Sequence, residues 1–145
     1  MTDTADRRTV NAWIDDWGTC VAAVDFEAAK PLFAADVVGF GTHKAFVEGL
    51  AALAAEQWGT VWPTIRDFRF QTEDLICMVS PDRLQACAIV PWSSTGFHKD
   101  GRDFDRPGRA TIVLTRTDPD APWQGRHTHF SLRPGVPERS YALQH

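Results

Sequence analysis

The sequence predicts one α+β domain, in which three helices are followed by a curved antiparallel sheet. Apolar residues recur at helical intervals up to Trp58, and from Val61 onward they alternate as strand residues do. Clusters of Pro, Gly and Asp separate the strand-like stretches. Because the helices precede the strands, we expect them to cover one face of the sheet rather than to alternate with parallel strands.

The first helix is predicted over residues 8–24. Thr9 or Asp6 is expected to cap its N-terminus, and Asp15 and Asp16 are expected to be solvated. The apolar side chains that share one helical face are Val10, Trp13, Ile14, Trp17 and Val21. This face is expected to pack against the sheet.

A short second helix and a strand are predicted next. The helix covers residues 26–33, with Asp25 as its N-cap and a bend or break at Lys30-Pro31. Residues 37–42 have the character of a strand, but two glycines interrupt it. Glycines within a strand mark a bulge, a tight bend or a close approach of the backbone to another group.

A third helix is predicted over residues 46–58, because apolar side chains again recur at helical spacing and Gly59 is suited to end the helix. Its expected inner side chains are Phe46, Leu50, Leu53 and Trp58.

Four strand regions are predicted in the rest of the chain. They cover residues 61–79, with a bulge or bend at 71–74, and then 84–97, 104–116 and 123–132. Turns at residues 80–83, 99–102 and 118–122 connect them. In the second region, small side chains that lead up to Trp92 share one face, which is typical of a cavity floor.

The last strand, residues 123–132, has two contrasting faces. One carries His127, His129 and Ser131, and the other carries Thr128, Phe130 and Leu132. If the histidines face a cavity, they are candidates for its chemistry. If they lie in a subunit interface instead, Phe130 and Thr128 point into the cavity. The sequence leaves both arrangements open.

The charge distribution and the hydropathy exclude several classes of partner. The 15 basic and 19 acidic residues are interspersed along 145 residues, so no basic stripe is available for a nucleic acid. No apolar run approaches the roughly 20 residues that span a bilayer, and the polar N-terminus lacks a signal-peptide core. We therefore expect a cytoplasmic protein that contacts neither nucleic acid nor membrane.

The three cysteines, at positions 20, 77 and 87, are expected to be reduced and buried. Their odd number and their spacing suit neither a disulfide framework nor a C-x-x-C metal pair. If residues 80–83 form a tight turn, Cys77 and Cys87 would lie nearly opposite each other, so a cross-strand disulfide is the alternative.

Several segments together resemble the SnoaL-like branch of the nuclear transport factor 2 (NTF2) and ketosteroid isomerase superfamily. They are Trp17, Leu-Phe-Ala-Ala-Asp-Val-Val-Gly-Phe-Gly-Thr at 32–42, Gly-Arg-Ala-Thr-Ile-Val-Leu at 108–114, Trp123, and His-Thr-His-Phe-Ser at 127–131. The resemblance covers about residues 8–135, so we expect a single domain over 1–145 whose last residues, 136–145, form a tail.

The resemblance implies a cone-shaped, cystatin-like α+β barrel roll. In this fold a strongly bent sheet encloses a deep apolar pocket that the helices plug, and the outer face of the sheet usually forms a homodimer. Family members include isomerases, cyclases, dehydratases, dioxygenase subunits and non-catalytic association domains, so the fold does not determine the activity. The aromatic residues that we expect to bind a small, flat, apolar or aromatic ligand are Trp17, Phe40, Trp58, Trp62, Trp92 and Phe130.

At the expected positions, the sequence lacks the side chains that ketosteroid isomerase chemistry requires. That reaction needs a carboxylate base and an oxyanion hole built from a tyrosine and a neutral carboxylic acid. The base would stand at Gly41, and the single tyrosine, Tyr141, lies in the predicted tail. The candidates for proton exchange are therefore His43, His127 and His129, because histidine titrates near neutral pH.

The sequence supports two other kinds of site, a metal site and an anion site, less strongly. The His-x-His pair projects two imidazoles to one side, but the spacing selects no third ligand, so we expect neither a metal nor a cofactor. The run Asp-Phe-Asp-Arg-Pro-Gly-Arg at 103–109 is expected to be solvated with local ion pairs. In the alternative, Arg109 reaches a carboxylate or an enolate at the rim of the cavity.

Two functions from different classes remain. One is an enzyme that performs proton transfer on an apolar substrate, in an isomerisation, a cyclisation or a dehydration. The other is a non-catalytic module that binds a hydrophobic ligand or associates with another chain. Polar groups that converge in a tryptophan-lined cavity would favour the enzyme, and walls that are only apolar would favour the module.

Overall fold

The N-terminal part of the chain forms helices that pack against one face of a sheet. The computed structural model describes residues 4–42 and 45–142. The first helices are α1 (Thr4–Ala23) and α2 (Phe26–Ala29), and a 3-10 turn (Lys30–Leu32) follows them. Asp25 caps α2 as predicted, because its carboxylate accepts a hydrogen bond of 3.0 Å from the backbone N–H of Ala28.

A second helical run covers residues 50–64 without a break. It consists of α3 (Leu50–Ala52), a π-helical turn (Leu53–Trp58), α4 (Gly59–Val61) and a 3-10 turn (Trp62–Thr64). None of the helices in the described ranges combines the length and the apolar character that crossing a lipid bilayer requires.

This run differs from the predicted third helix at both ends. Phe46 lies before it and is 61% exposed, so it is not an inner side chain. Gly59 lies within the run instead of ending it. The run continues past Gly59 and includes Trp62, whose ring stacks on Trp58 with centroids 4.8 Å apart. Burial of both indoles accounts for the extension, because tertiary packing overrides the local signal of one glycine.

Eight strands form one sheet within the described residues. They are β1 (Phe33–Phe40), β2 (Val47–Glu48), β3 (Arg66–Phe70), β4 (Ile76–Val79), β5 (Gln85–Phe97), β6 (Asp103–Asp105), β7 (Gly108–Thr115) and β8 (Gln124–Leu132). The order is β2-β1-β8-β7-β5-β3, and β4 and β6 also pair with β5. The pairings are antiparallel except for β1 with β8, which confirms the predicted α+β class.

The strand register decides which face of β8 lies outside. Residues that stand opposite each other on neighbouring strands share a face. One outer row is Met78, Cys87, Val113, His127 and Val38, and the next is Ile76, Ile89, Thr111, His129 and Phe40. The opposite side of β8 carries Thr128, which is 1% exposed, and Phe130. Phe130 therefore points inward and both histidines point outward.

Aromatic rings occupy most of the space between the sheet and the helices. Trp17 of α1 lies at the centre of this cluster. Its ring centroid is 4.9 to 6.4 Å from those of Trp13, Phe33, Trp58, Phe70 and Phe130. The expected deep, open pocket is therefore reduced to a narrow slot, because these rings occupy the space that the small side chains of β5 and β7 leave free.

A buried ion pair fixes α1 to the far end of the sheet. The Asp6 carboxylate accepts hydrogen bonds from Arg83 Nε at 2.8 Å and from Arg116 Nη2 at 2.8 Å. These arginines hold the pKa of Asp6 well below its usual range. Asp6 was one of two predicted caps, but it lies within α1 and serves as this anchor instead.

Cys20 and Cys77 are buried as expected, Cys87 is only partly buried, and the C-terminal residues pack against the domain. Cys77 stands opposite Ala88, and Cys87 stands opposite Met78, so the two cysteines point to opposite faces of the sheet. This register does not suit the alternative of a cross-strand disulfide. In the predicted tail, the Tyr141 backbone N–H donates to Phe97 O at 2.9 Å. The Ser140 hydroxyl donates to Thr64 O at 2.6 Å, so this segment is attached to the domain.

Candidate functional site

A narrow slot opens between α1, the helical run 50–64 and the inner face of the sheet. Its volume is about 30 Å³, which is room for about two water molecules. Aromatic and aliphatic side chains form most of its wall, together with three polar ones. The lining residues are Trp17, Val21, Thr42, Gln57, Val61, Trp62, Ile65, Phe68, Trp92, Arg106 and Phe130.

A wider vestibule of about 500 Å³ adjoins the slot. Thr42, Val61 and Arg106 line both spaces and therefore form a neck between them. The vestibule is rich in hydroxyl groups, and the C-terminal segment provides half of its wall. Its other lining residues are Thr60, Thr64, Glu138, Arg139, Ser140, Tyr141 and Ala142.

Polar atoms without a hydrogen-bond partner are concentrated around the slot. Within the described residues, four buried side-chain nitrogen or oxygen atoms lack a partner. They are Trp17 Nε1, Gln57 Oε1, Trp92 Nε1 and Arg106 Nε, and all four belong to residues that line the slot. Since buried polar groups are nearly always hydrogen bonded, this concentration marks the slot as the place where partners beyond the described residues are needed.

Two other tryptophans show how this fold ordinarily satisfies a buried indole. Trp13 Nε1 donates to Leu32 O at 3.1 Å, and Trp123 Nε1 donates to Thr9 Oγ1 at 2.9 Å. The missing partners of Trp17 and Trp92 are thus specific to the slot.

Arg106 is the charged group of the slot. It is 3% exposed, its Nη2 donates to Thr42 Oγ1 at 2.9 Å, and its guanidinium carbon lies 5.5 Å from the ring centroid of Trp92. Burial lowers the pKa of Arg106 to about 10, so the group remains a cation at neutral pH. The run 103–109 was expected to be solvated, and for Arg106 that expectation is wrong.

The local backbone explains why Arg106 turns inward. The predicted strand 104–116 is interrupted, because β6 ends at Asp105 and β7 begins at Gly108. Between them, the Arg106 backbone N–H donates to Ser94 O at 2.9 Å, and the Ser94 hydroxyl donates to Arg106 O at 2.8 Å. Arg109, the residue that the sequence analysis considered for anion binding, is exposed on β7.

Four of the six predicted aromatic residues line the slot: Trp17, Trp62, Trp92 and Phe130. Trp58 is buried behind Trp62 and contacts Trp17 at a centroid distance of 6.4 Å. Phe40 lies on the outer face of the sheet, against the rings of His127 and His129 at 5.1 and 4.4 Å. The alternation of β1 reverses the expected direction of Phe40, because Gly39 occupies the inward position.

Two of the three candidate histidines, His127 and His129, do not line the slot. His127 and His129 are on the outer face, and His127 Nδ1 lies 2.8 Å from Val38 O, a structural hydrogen bond. His43 lies outside the described residues. At Gly41, where the resemblance would place the base, a Cβ would come within 2.9 Å of Gln57 Nε2 and 3.2 Å of Phe130 Cβ. That position faces the slot but carries no side chain.

The described lining residues of the slot include no carboxylate, imidazole or thiol. No group of three or more His, Cys, Asp or Glu side chains within the described ranges is arranged to hold a metal ion. What these residues can do chemically is donate N–H groups to an oxygen acceptor and hold flat apolar surfaces between aromatic rings.

Solved structures similar to this one cover nearly the whole chain, at identities that show only the fold. A ketosteroid isomerase-like protein from Erwinia carotovora atroseptica SCRI1043 has a TM-score of 0.75 and 17% identity, over 90% of this chain and 98% of its own. An NTF2-like superfamily protein from Salmonella enterica serovar Typhimurium LT2 has a TM-score of 0.75 and 20% identity, over 94% and 98%. A protein from Streptomyces avermitilis, provisionally named a dehydratase of the NTF2-like family, has a TM-score of 0.73 and 16% identity, over 90% and 99%.

No protein of curated function matches the chain by sequence. The family model of the SnoaL-like domain matches residues 10–134, which is most of the sequence. The order of helices and strands, the curved sheet and the similar structures agree with that match. The chain therefore belongs to the SnoaL-like domain family, within the NTF2-like superfamily.

Proposed function

We propose that this protein binds a flat, largely apolar small molecule that carries oxygen atoms at one end. The observation that supports this proposal is the concentration of unpartnered buried polar atoms around one aromatic slot. Three of these atoms belong to N–H groups, on Trp17, Trp92 and Arg106, and they require acceptors. The surrounding rings offer flat surfaces to the apolar part of the molecule.

The size of the two spaces restricts how the molecule enters. A slot of about 30 Å³ admits only a few atoms, whereas the vestibule of about 500 Å³ has the size of an ordinary ligand site. The molecule therefore enters through the vestibule with its apolar body toward the rings of the slot, and its polar end stays at the neck beside Arg106. Deeper entry requires a lining ring to move, and Phe130 is suited to this because it is only half-buried.

Calorimetric titration with 2-naphthamide, a neutral flat probe, tests the proposal. Val61 lines both the slot and the vestibule, so Val61→Phe narrows the neck and is expected to weaken binding at least tenfold. His127→Ala alters only the outer face and is expected to leave the affinity unchanged. Absence of binding to the wild-type protein, or equal binding to Val61→Phe, would refute the proposal.

Catalysis of proton transfer is the second candidate function, and one observation favours it. The three N–H groups of the slot are the kind of donors that stabilise an oxyanion as it develops on an enolised carbonyl. His43 follows the neck residue Thr42 directly in the sequence and is the proposed exchanging group. The provisional name of the Streptomyces avermitilis neighbour is compatible with such chemistry.

Solvent-deuterium incorporation into 1-tetralone, followed by mass spectrometry, tests the catalytic candidate. His43→Ala is expected to abolish enzyme-dependent exchange while the melting temperature and the affinity for the ketone stay near wild type. A catalytic role for His43 is excluded if exchange persists in this variant, or if its melting temperature falls sharply while ligand affinity is intact.

We also propose a homodimer that forms through the outer face of the sheet. The two outer rows contain mostly aliphatic and aromatic side chains, and Ile76 and Met78 at one end are 57% and 53% exposed. Large exposed apolar side chains that adjoin on one face indicate an association surface. A cytoplasmic location remains a prediction of the sequence.

A further inference from the structure

Two arginines are buried in the described part of the chain, and they differ in how their charge is balanced. Arg116 donates from Nη2 to the Asp6 carboxylate at 2.8 Å, and its guanidinium lies over Trp123 at 3.9 Å. The guanidinium of Arg106 lies 5.5 Å from the ring centroid of Trp92. Its hydrogen-bond partner, however, is the neutral hydroxyl of Thr42. Within the described residues, no carboxylate lies within ion-pair distance of Arg106.

The backbone holds Arg106 in this position. Ser94 is buried and binds both the N–H and the carbonyl of Arg106, and the following residue, Pro107, restricts the backbone further. The backbone at Arg106 is therefore fixed, and Thr42 and Trp92 position its guanidinium. A buried charge is normally paired, so a buried cation without an anion among the described residues points to an anion supplied by a ligand.

None of the described residues that line the slot supplies an anion to Arg106. The described slot residues carry no acidic group. In the vestibule, Glu138 is exposed, and Arg139 adds a second positive charge, held over the Tyr141 ring at 4.5 Å. An oxyanion at the neck would also lie next to the slot, where the indole N–H groups of Trp17 and Trp92 lack acceptors. A carboxylate has two oxygens that can each accept more than one hydrogen bond.

We infer that the ligand is an aromatic or polycyclic carboxylate whose negative end pairs with Arg106 at the neck between slot and vestibule. This inference rests on the proposed function and specifies the chemical class of the ligand. The aromatic body lies against the rings, and the carboxylate neutralises the buried cation. Arg106 also determines specificity, because a neutral isostere leaves its charge unbalanced.

The test compares 2-naphthoate with 2-naphthamide, which share one ring system and differ in charge. Calorimetric titration at pH 7 of the full chain is expected to give at least tenfold tighter binding of the acid. Arg106→Gln is expected to remove this preference, with the acid losing tenfold or more and the amide changing less than twofold. Arg106→Lys keeps the charge but not the planar donors, so part of the preference is expected to remain.

Two controls keep the result interpretable. Arg109→Gln removes an exposed arginine three positions along and is expected to leave both affinities at wild-type values. The melting temperature of ligand-free Arg106→Gln is expected to equal or exceed that of the wild type, because an unbalanced buried charge has been removed. A large fall in melting temperature would instead make Arg106 structural and overturn the inference.

The outcomes separate this inference from the proposed function. Equal affinity of the wild type for acid and amide, or an equal loss of both in Arg106→Gln, overturns the inference and leaves the proposed function standing. Tighter binding of the acid that Arg139→Gln abolishes but Arg106→Gln does not would also overturn it. Failure of both probes to bind overturns the proposed function and the inference together.

Discussion

Asp6 shows what a single buried charge contributes to this fold. It is 2% exposed and joins α1 to Arg83 and Arg116, which lie 77 and 110 residues away in the sequence. The periodicity of the sequence placed Asp6 near the start of a helix, but it could not predict ion-pair partners that lie so far away in the chain. The same holds for Arg106, since the contacts that bury it, with Ser94 and Thr42, form only in the assembled sheet.

Asp6→Asn is predicted to destabilise the protein by about 3 kcal/mol, because it leaves the buried Arg116 without its anion. For a domain of this size the melting temperature should fall by roughly 10 °C. Asp36→Asn is the matched control, because its ion pair with Arg126 is exposed and should contribute little. Equal melting temperatures for Asp6→Asn and wild type would contradict this role.

The lowered pKa of Asp6 also predicts how stability depends on pH. The folded protein binds the Asp6 proton more weakly than the unfolded chain does, so Asp6 contributes its full stabilisation above the unfolded pKa of about 3.9. That contribution is lost as the pH falls below this value. Between about pH 5 and pH 2.5, the melting temperature of the wild type should therefore fall more steeply than that of Asp6→Asn. Parallel curves would contradict the assignment.

At the scale of secondary structure, the helices and strands were predictable and their ends were less so. Alternation and turn residues predicted β5 and β8 nearly to their observed ends, and Asp25 predicted the cap of α2. The helical run 50–64 was not predicted in full, because ring packing between Trp58 and Trp62 extends it past a glycine. The prediction of one strand over 104–116 also missed the break between β6 and β7. At this break the Arg106 side chain turns into the slot.

Gly108, the first residue of β7, is predicted to be essential for the shape of the slot. A Cβ at this position would come within 2.2 Å of Trp92 Cζ2 and 2.3 Å of Ser131 O, distances that real Cβ atoms do not adopt. Gly108→Ala should therefore displace Trp92 or the strand, destabilise the protein by about 2 kcal/mol and weaken ligand binding.

Gly59→Ala provides the control for this prediction. Gly59 lies within the helical run and has only Ala54 O within contact range, at 3.3 Å. Alanine there should cost much less than at Gly108, because its higher helix propensity offsets a contact that is tight but far longer than 2.2 Å. Unfolding in denaturant together with titration of 2-naphthoate measures both effects. Wild-type affinity and stability in Gly108→Ala would contradict the predicted packing.

At the scale of the whole molecule, the two faces of the sheet have separate roles. The inner face forms one wall of the slot around which the unpartnered polar atoms lie, and the outer face carries His127, His129 and Phe40. The sequence left the direction of β8 open, because both of its faces carry side chains that suit a pocket or an interface. Only the register against β1 and β7 decides between them.

The outer face predicts a homodimer, with a mass in solution of about twice 16.2 kDa. Val113→Glu places a charge at the middle of an outer row and is expected to give monomers in light scattering after size exclusion. Phe46→Glu changes an exposed apolar residue outside the outer rows and should leave the dimer intact. A monomeric wild type, or a Val113→Glu variant that still dimerises at equal concentration, would contradict the prediction.

The unpartnered N–H groups of the slot are proposed to face a ligand, and the indole signals of an ¹H–¹⁵N spectrum report on that contact atom by atom. Assigned by single Trp→Phe variants and titrated with 2-naphthoate, the indole signals of Trp17 and Trp92 are predicted to shift. Those of Trp13 and Trp123 should stay in place, because their N–H groups are already bonded. Shifts confined to Trp13 and Trp123, or no shift at saturating ligand, would contradict the account.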